Sequence, residues 1–176
     1  MTSKTYIPLS DPMYEKIENQ VRVTYNNSCI LWIEYVMNPI LSDAFDNYVE
    51  SMKAVGKQPN VLTLFHGTRE GVARIIIEEG FNPSINRVCA HGLGTYFSTR
   101  AVYSKDYCVL EKGSQYAYML VCDVAVGKSC RGKPNKPIDS GFDSATDSLY
   151  RPDMYIVNKR EAALPKYLVC FMPNAN

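Results

Sequence analysis

The chain has only two histidines, His66 and His91, and its six cysteines include no Cys-x-x-Cys pair. So few clustered ligands make a structural or catalytic metal site improbable, and no metal is expected. Cys29, Cys89, Cys108, Cys122, Cys130 and Cys170 are scattered and mostly embedded in apolar runs, which suits reduced core thiols and not a disulfide framework. An excess of charge of one sign is missing too. Nineteen Lys and Arg against eighteen Asp and Glu leave a net charge of +1, which supplies no electrostatic reason to bind nucleic acid or an anionic membrane. No apolar run approaches the roughly 20 residues that span a bilayer, and the opening Met1-Thr2-Ser3-Lys4-Thr5-Tyr6 is not followed by an apolar leader segment. The expected location is therefore cytoplasmic or nuclear. Internal repeats and low-complexity tracts are absent. What remains is 176 residues with 46% hydrophobic and 21% charged content, the size and composition of one globular domain over 1–176.

Helix signals dominate the first third. Ser10 or Asp11 can cap a helix opened by Pro12, with Met13, Ile17 and Val21 on one face. Asn38 and Pro39 repeat that pattern ahead of Ile40, Leu41, Ala44, Phe45, Tyr48, Val49 and Met52, whose helical period runs to Gly56. Val61 to Phe65 reads as a buried strand ending at a glycine turn. Thr68 is then placed to cap a short helix with Val72, Ile75 and Ile76 on one face and Gly80 at its end. Thr95 to Ser98 reads as a short strand and Ala101 to Cys108 as a helical turn or two. Strand-like runs follow at Tyr116 to Val126, Met154 to Val157 and Tyr167 to Met172. The intervening Gly127 to Asp153, with Gly132, Pro134, Pro137, Gly141 and Pro152, reads as one long irregular segment, of a length that is usually functional or mobile. Early helices followed by mostly antiparallel strands predict an α+β domain.

Three stretches carry candidate chemistry: His66-Gly67-Thr68, Gly92-Leu93-Gly94-Thr95-Tyr96-Phe97-Ser98, and Tyr103-Ser104-Lys105-Asp106-Tyr107. Each is ordinary alone. A lone histidine can be satisfied in a core turn, glycine pairs are common in turns, and single tyrosines are more often core residues than ligands. In this order and spacing, however, the three resemble the catalytic signature of the poly(ADP-ribose) polymerase family: a His-Gly-Ser/Thr turn, a Gly-x-Tyr-Phe strand and a Ser-x-x-Tyr helix. The resemblance extends to Leu9-Ser10-Asp11-Pro12, Asn38-Pro39, Phe142-Asp143-Ser144 and Pro165-Lys166-Tyr167-Leu168-Val169, which look like pieces of the family's mono-ADP-ribosylating branch.

The resemblance implies the ADP-ribosyltransferase fold, two packed, mostly antiparallel sheets flanked by helices around a cleft for NAD. It also implies that NAD serves as co-substrate. His66 and Thr68 would then meet the ribose of the adenosine half, and the Gly67 backbone and the Ser104 hydroxyl would hold the nicotinamide carboxamide. Tyr96 and Tyr107 would stack on the pyridinium ring, with Phe97 beside Tyr96 and Arg87 in the counterpart of the family's donor loop. The polymer-forming branch has a glutamate at the start of a late strand. Here that position falls on Met154, whose thioether cannot act as a general base, so chain elongation is expected to fail. Asp153 is one residue away and would face the opposite side of a strand. The expected activity is transfer of a single ADP-ribose to an acceptor, with a protein side chain as the leading candidate. The alternatives are an inactive NAD-binding or protein-interaction module of the same fold, and transfer to nucleic-acid ends, which the charge balance does not suggest.

Overall fold

The computed structural model describes residues 3–26, 29–85 and 89–173. In chain order its main elements are β1 (Ser3–Tyr6), α1 (Pro12–Arg22), β2 (Cys29–Met37), α2 (Pro39–Ala54), β3 (Val61–Thr68), α3 (Glu70–Glu79), β4 (Thr95–Ser98), α4 (Ala101–Lys105), β5 (Ala117–Ala125), β6 (Ser129–Arg131), β7 (Ser144–Thr146), β8 (Met154–Val157) and β9 (Ala163–Met172). This is the α+β architecture expected. The strands follow the order β1-β2-β9-β5-β3-β4-β8-β7-β6, all antiparallel except the short β6–β7 pair. Its centre is nearly cut. Strands β3 and β4 share a single residue pair, Phe65 with Ser98, so a five-stranded and a four-stranded section meet at one point.

Strand β5 explains where the core lies. Ala117, Met119 and Val121 join a cluster under α1 and α4 with Ile17, Val21 and Ala101, whereas Tyr118, Leu120, Cys122 and Val124 join one under α3 with Ala73, Ile76 and Ile77. Side chains alternate across a strand, so with helices on both faces every buried position of β5 is apolar, and only Asp123 is half-exposed. Helix α2 closes one end of the sheet with Phe45 and Met52 against Ala125 and Leu164.

The helix starts follow the capping residues. Asp11 accepts from the Met13 amide at 2.8 Å and Asn38 from the Leu41 amide at 3.3 Å. Thr68 does not cap α3: β3 continues through it, Thr68 pairs with Tyr118, and Arg69 takes the cap position without a side-chain bond. The buried face of α3 is Ala73, Ile76 and Ile77, and Val72 and Ile75 are exposed. The helix starts one residue later than a Thr68 cap would place it, and the buried face keeps Ile76 but takes Ala73 and Ile77 in place of Val72 and Ile75.

Strands β1, β2, β6 and β7 escape the periodicity reading. In β2 the buried residues Ile33 and Glu34 are consecutive, and a register shift between Ile30 and Trp32 breaks the alternation. Glu34 is accommodated because Arg74 of α3 reaches it at 2.7 Å. Strands β6 and β7 lie inside the segment expected to be irregular. That segment is laced to the loop before β4: Asn135 N donates to the Cys89 carbonyl at 2.8 Å and Leu93 N to the Lys136 carbonyl at 2.9 Å. All six cysteines are free thiols, and five of them are buried.

Candidate active site

His66 stands where the two sheet sections part. Strand β3 stays paired to β5 as far as Thr68, but on its other side, beyond Phe65, it has no strand partner among the described residues. The half-buried imidazole bridges that gap, with Nδ1 at 2.8 Å from the Tyr96 carbonyl of β4. A carbonyl only accepts, so Nδ1 carries the proton and Nε2 is left as an acceptor. The ring rests on Phe81 and Phe97, at centroid distances of 5.2 and 5.5 Å. Burial pushes the His66 pKa down against the opposing pull of the Tyr96 carbonyl, which keeps the ring neutral.

Gly67 is a strand residue paired with Met119, not a turn, and its φ is not positive. Its lack of a side chain is demanded by α4: a Cβ built there would lie 1.9 Å from the Ser104 carbonyl oxygen and 2.9 Å from Cys108 Sγ. Only glycine lets the helix backbone settle so close to β3. Ser104 is buried, and its hydroxyl donates to the Phe65 carbonyl at 3.1 Å. Its oxygen therefore remains free only as an acceptor. Three residues on, Tyr107 is 56% exposed, with its ring inclined 31° to that of Tyr103.

Tyr96 is held through its hydroxyl, which donates to the Gly92 carbonyl at 2.8 Å and accepts from the His91 amide at 2.9 Å. Burial pushes its pKa up to about 12, the His91 amide offsets part of that rise, and the nearby Tyr107 phenol adds a little to it. Met154 pairs with Ser98, and Ile156 with Tyr96. Residues directly opposite in an antiparallel pair share a face, as do residues two apart, so Met154 and Tyr96 lie on the same side of this ladder. Met154 is buried. The Asp153 carboxylate is engaged by Arg100, with Oδ1 at 3.0 Å from Nε and Oδ2 at 3.0 Å from Nη2, and is not available in place of a glutamate.

Of the residues singled out in the sequence, His66, Gly67, Thr68, Tyr96 and Ser104 converge on the junction of β3, β4 and α4. Tyr107 borders it. Phe97 is 1% exposed, sits on the face of β4 opposite Tyr96 and packs against the His66 ring. Arg87 lies outside the described residues. Phe81 was not picked out; it follows α3 with no local pattern of its own and becomes part of the site only by packing under the imidazole. Asp147 was missed as well. It accepts from the Asp153 and Met154 amides at 3.1 and 3.0 Å, closing the loop that leads into β8, and an Asx residue before a turn was the available signal.

Residues 12–140 match the sequence profile of the poly(ADP-ribose) polymerase catalytic domain. The chain belongs to that family. Human protein mono-ADP-ribosyltransferase PARP14 is 29% identical over 178 residues, covering 92% of this chain and 10% of that protein. A probable poly(ADP-ribose) polymerase of Dictyostelium discoideum is 30% identical over 181 residues, covering 96% of this chain and 50% of that protein. Mouse protein mono-ADP-ribosyltransferase PARP10 is 30% identical over 156 residues, covering 80% of this chain and 16% of that protein. The chain thus spans half or less of each of these relatives. Two of these three relatives of the poly(ADP-ribose) polymerase catalytic domain are named as mono-ADP-ribosyltransferases. No helix among the described residues is long and apolar enough to cross a membrane, and no group of three or more His, Cys, Asp or Glu among them is arranged to hold a metal.

Proposed function

We propose that this domain cleaves NAD at the bond between nicotinamide and ribose and transfers one ADP-ribose to a protein side chain. The observation that carries the reading is the neutral His66 bridging β3 to β4 beside the open backbone edge at Gly67. Its Nε2 acceptor suits a hydroxyl of the adenosine ribose, with Thr68 at the end of the same strand. A carboxamide can add to the unpaired edge of β3 as a short strand would, exchanging hydrogen bonds with the Gly67 N–H and C=O. The Ser104 oxygen accepts from the carboxamide N–H, since its own proton is committed to Phe65. Tyr96 and Tyr107 flank the ring, and their π-faces favour the pyridinium charge.

The chemistry asks little acid catalysis of the protein. The C–N bond breaks with its electron pair passing to the nicotinamide nitrogen, which neutralises the pyridinium and leaves an oxocarbenium-like ribose, the electronic state glycosidases also stabilise. Rigid clamping of the leaving group and alignment of the sugar are the protein's contribution. With Met154 on the late strand, no carboxylate of this chain activates a ribose hydroxyl for extension. An acceptor carboxylate supplies the electron pair for the new C–O bond and stabilises the cation, and the reaction stops after one unit.

The same methionine favours a second reading, an NAD-binding module without turnover. Incubation with NAD labelled in the adenosine half separates the two. Nicotinamide release with label on an acceptor protein, lost at least about a hundred-fold in His66→Ala, supports transfer. Calorimetric binding without nicotinamide release supports the module. Full turnover by His66→Ala would mean that the site lies elsewhere.

A further inference from the structure

Tyr96 is fastened by a loop that is itself fastened from outside the cleft. Its hydroxyl bonds the Gly92 carbonyl and the His91 amide, both in the stretch before β4. The two ends of that stretch are pinned by the segment between β6 and β7. At one end Asn135, 46 residues further along the chain, holds both main-chain groups of Cys89. Its Oδ1 accepts from the Cys89 amide at 2.9 Å, and its own amide donates to the Cys89 carbonyl at 2.8 Å. At the other end the Lys136 carbonyl accepts from the Leu93 amide at 2.9 Å. Between them Gly132 lies against His91, where a Cβ would collide with the His91 carbonyl. Asn135 itself has φ +54°, in the left-handed region that Asn and Asp enter more readily than other residues with a side chain. Its residue type therefore serves the turn and the bond together. Cys89 is buried, so its amide depends on that acceptor.

We infer that Asn135 is a positioning residue for the nicotinamide pocket: by clamping Cys89 it fixes the loop that orients the Tyr96 ring, and so sets the affinity for the pyridinium end of NAD without touching it. The inference rests on the NAD reading of the cleft, in which Tyr96 flanks that ring. Any freedom given back to the Tyr96 side chain must be lost again when the ring stacks on it, which weakens binding. The main chain of Tyr96 stays paired through β8, so its carbonyl keeps its bond to His66. The pairing of β3 with β5 through Thr68 does not involve Asn135 either. Loss of the clamp should therefore weaken NAD and spare ADP-ribose, which has the adenosine half but no nicotinamide.

Calorimetric titration of NAD and of ADP-ribose into the wild type, Asn135→Gly and Asn135→Asp tests this, with hydrogen exchange followed at the Cys89 and His91 amides. Asn135→Gly keeps the left-handed turn and the main-chain donor and removes only the Oδ1 acceptor. Both amides should then exchange faster and NAD affinity should fall about fivefold, the effect of one ordinary hydrogen bond, while ADP-ribose affinity is unchanged. Asn135→Asp keeps an acceptor in the same place and should restore wild-type exchange and binding. A glycine variant that exchanges or binds NAD like the wild type, or that loses NAD and ADP-ribose in equal measure, would overturn this inference and leave the NAD reading standing. An aspartate variant as impaired as the glycine variant would do the same. A wild type that binds neither ligand overturns both.

Discussion

The imidazole Nδ1 of His66 stands 2.8 Å from the carbonyl oxygen of Tyr96, spanning the point where β3 and β4 separate. That one bond settles the tautomer of the histidine and ties the two sheet sections together beside the proposed NAD cleft.

Burial of the same ring has a consequence for pH. Burial holds the folded-state pKa of His66 below the ordinary 6.5, so the unfolded chain takes up its proton first as the solution is acidified. The contribution of the neutral ring to stability is fully present above pH 6.5 and is lost as pH falls from there through the depressed value. Thermal midpoints recorded from pH 7.5 down to 5.5 should fall more steeply for the wild type than for His66→Phe. Equal slopes would mean that His66 is not held neutral by its surroundings.

Gly67→Ala should damage both fold and binding. Its Cβ would overlap the Ser104 carbonyl, and since backbone on both sides resists, α4 must shift. Overpacking of this kind costs about 1–3 kcal/mol, and each kcal/mol lowers the melting midpoint of a domain this size by roughly 2–4 °C. NAD affinity should fall as well, because Ser104 and Tyr107 move with the helix. A variant that melts and binds like the wild type would show that β3 and α4 are not in such close contact.

Tyr96→Phe removes a hydroxyl that serves two partners on the loop before β4, the Gly92 carbonyl and the His91 amide. Each lost bond costs about 1 kcal/mol, with more where a partner is left buried and unpaired. Hydrogen exchange at the His91 amide should speed up, and nicotinamide release should slow, while the His66–Tyr96 bond survives because it uses the main-chain carbonyl. Unchanged exchange at His91 would remove the hydroxyl from its role as a clamp.

Met154→Glu returns a carboxylate to the late strand without restoring polymer formation, since elongation also needs room and binding groups for a growing chain. The side chain is only 8% exposed, and an unpaired polar group there costs about 1–3 kcal/mol. Products resolved by mass spectrometry should remain single ADP-ribose units, with a lowered melting midpoint. Ladders of longer products would show that Met154 alone blocks elongation.

Local grammar was readable along the chain. Asp11 with Pro12 and Asn38 with Pro39 announce their helices, because capping depends on a side chain and an amide a few residues apart. The aromatic and branched run from Tyr116 to Val126 announces β5, and the spacing of His66, Tyr96, Ser104 and Tyr107 carries the resemblance to the family. What could not be read is whatever depends on a partner far away in sequence. Gly67 looks like a turn glycine until α4 is seen resting on it, the burial of Phe97 shows only once β4 is paired, and Glu111 is an anonymous loop acid until it meets the amide of Gly71. Propensity and periodicity act over a few residues, whereas the face a strand residue shows and the group an acid caps are decided when remote segments pack, and only folding sets those distances.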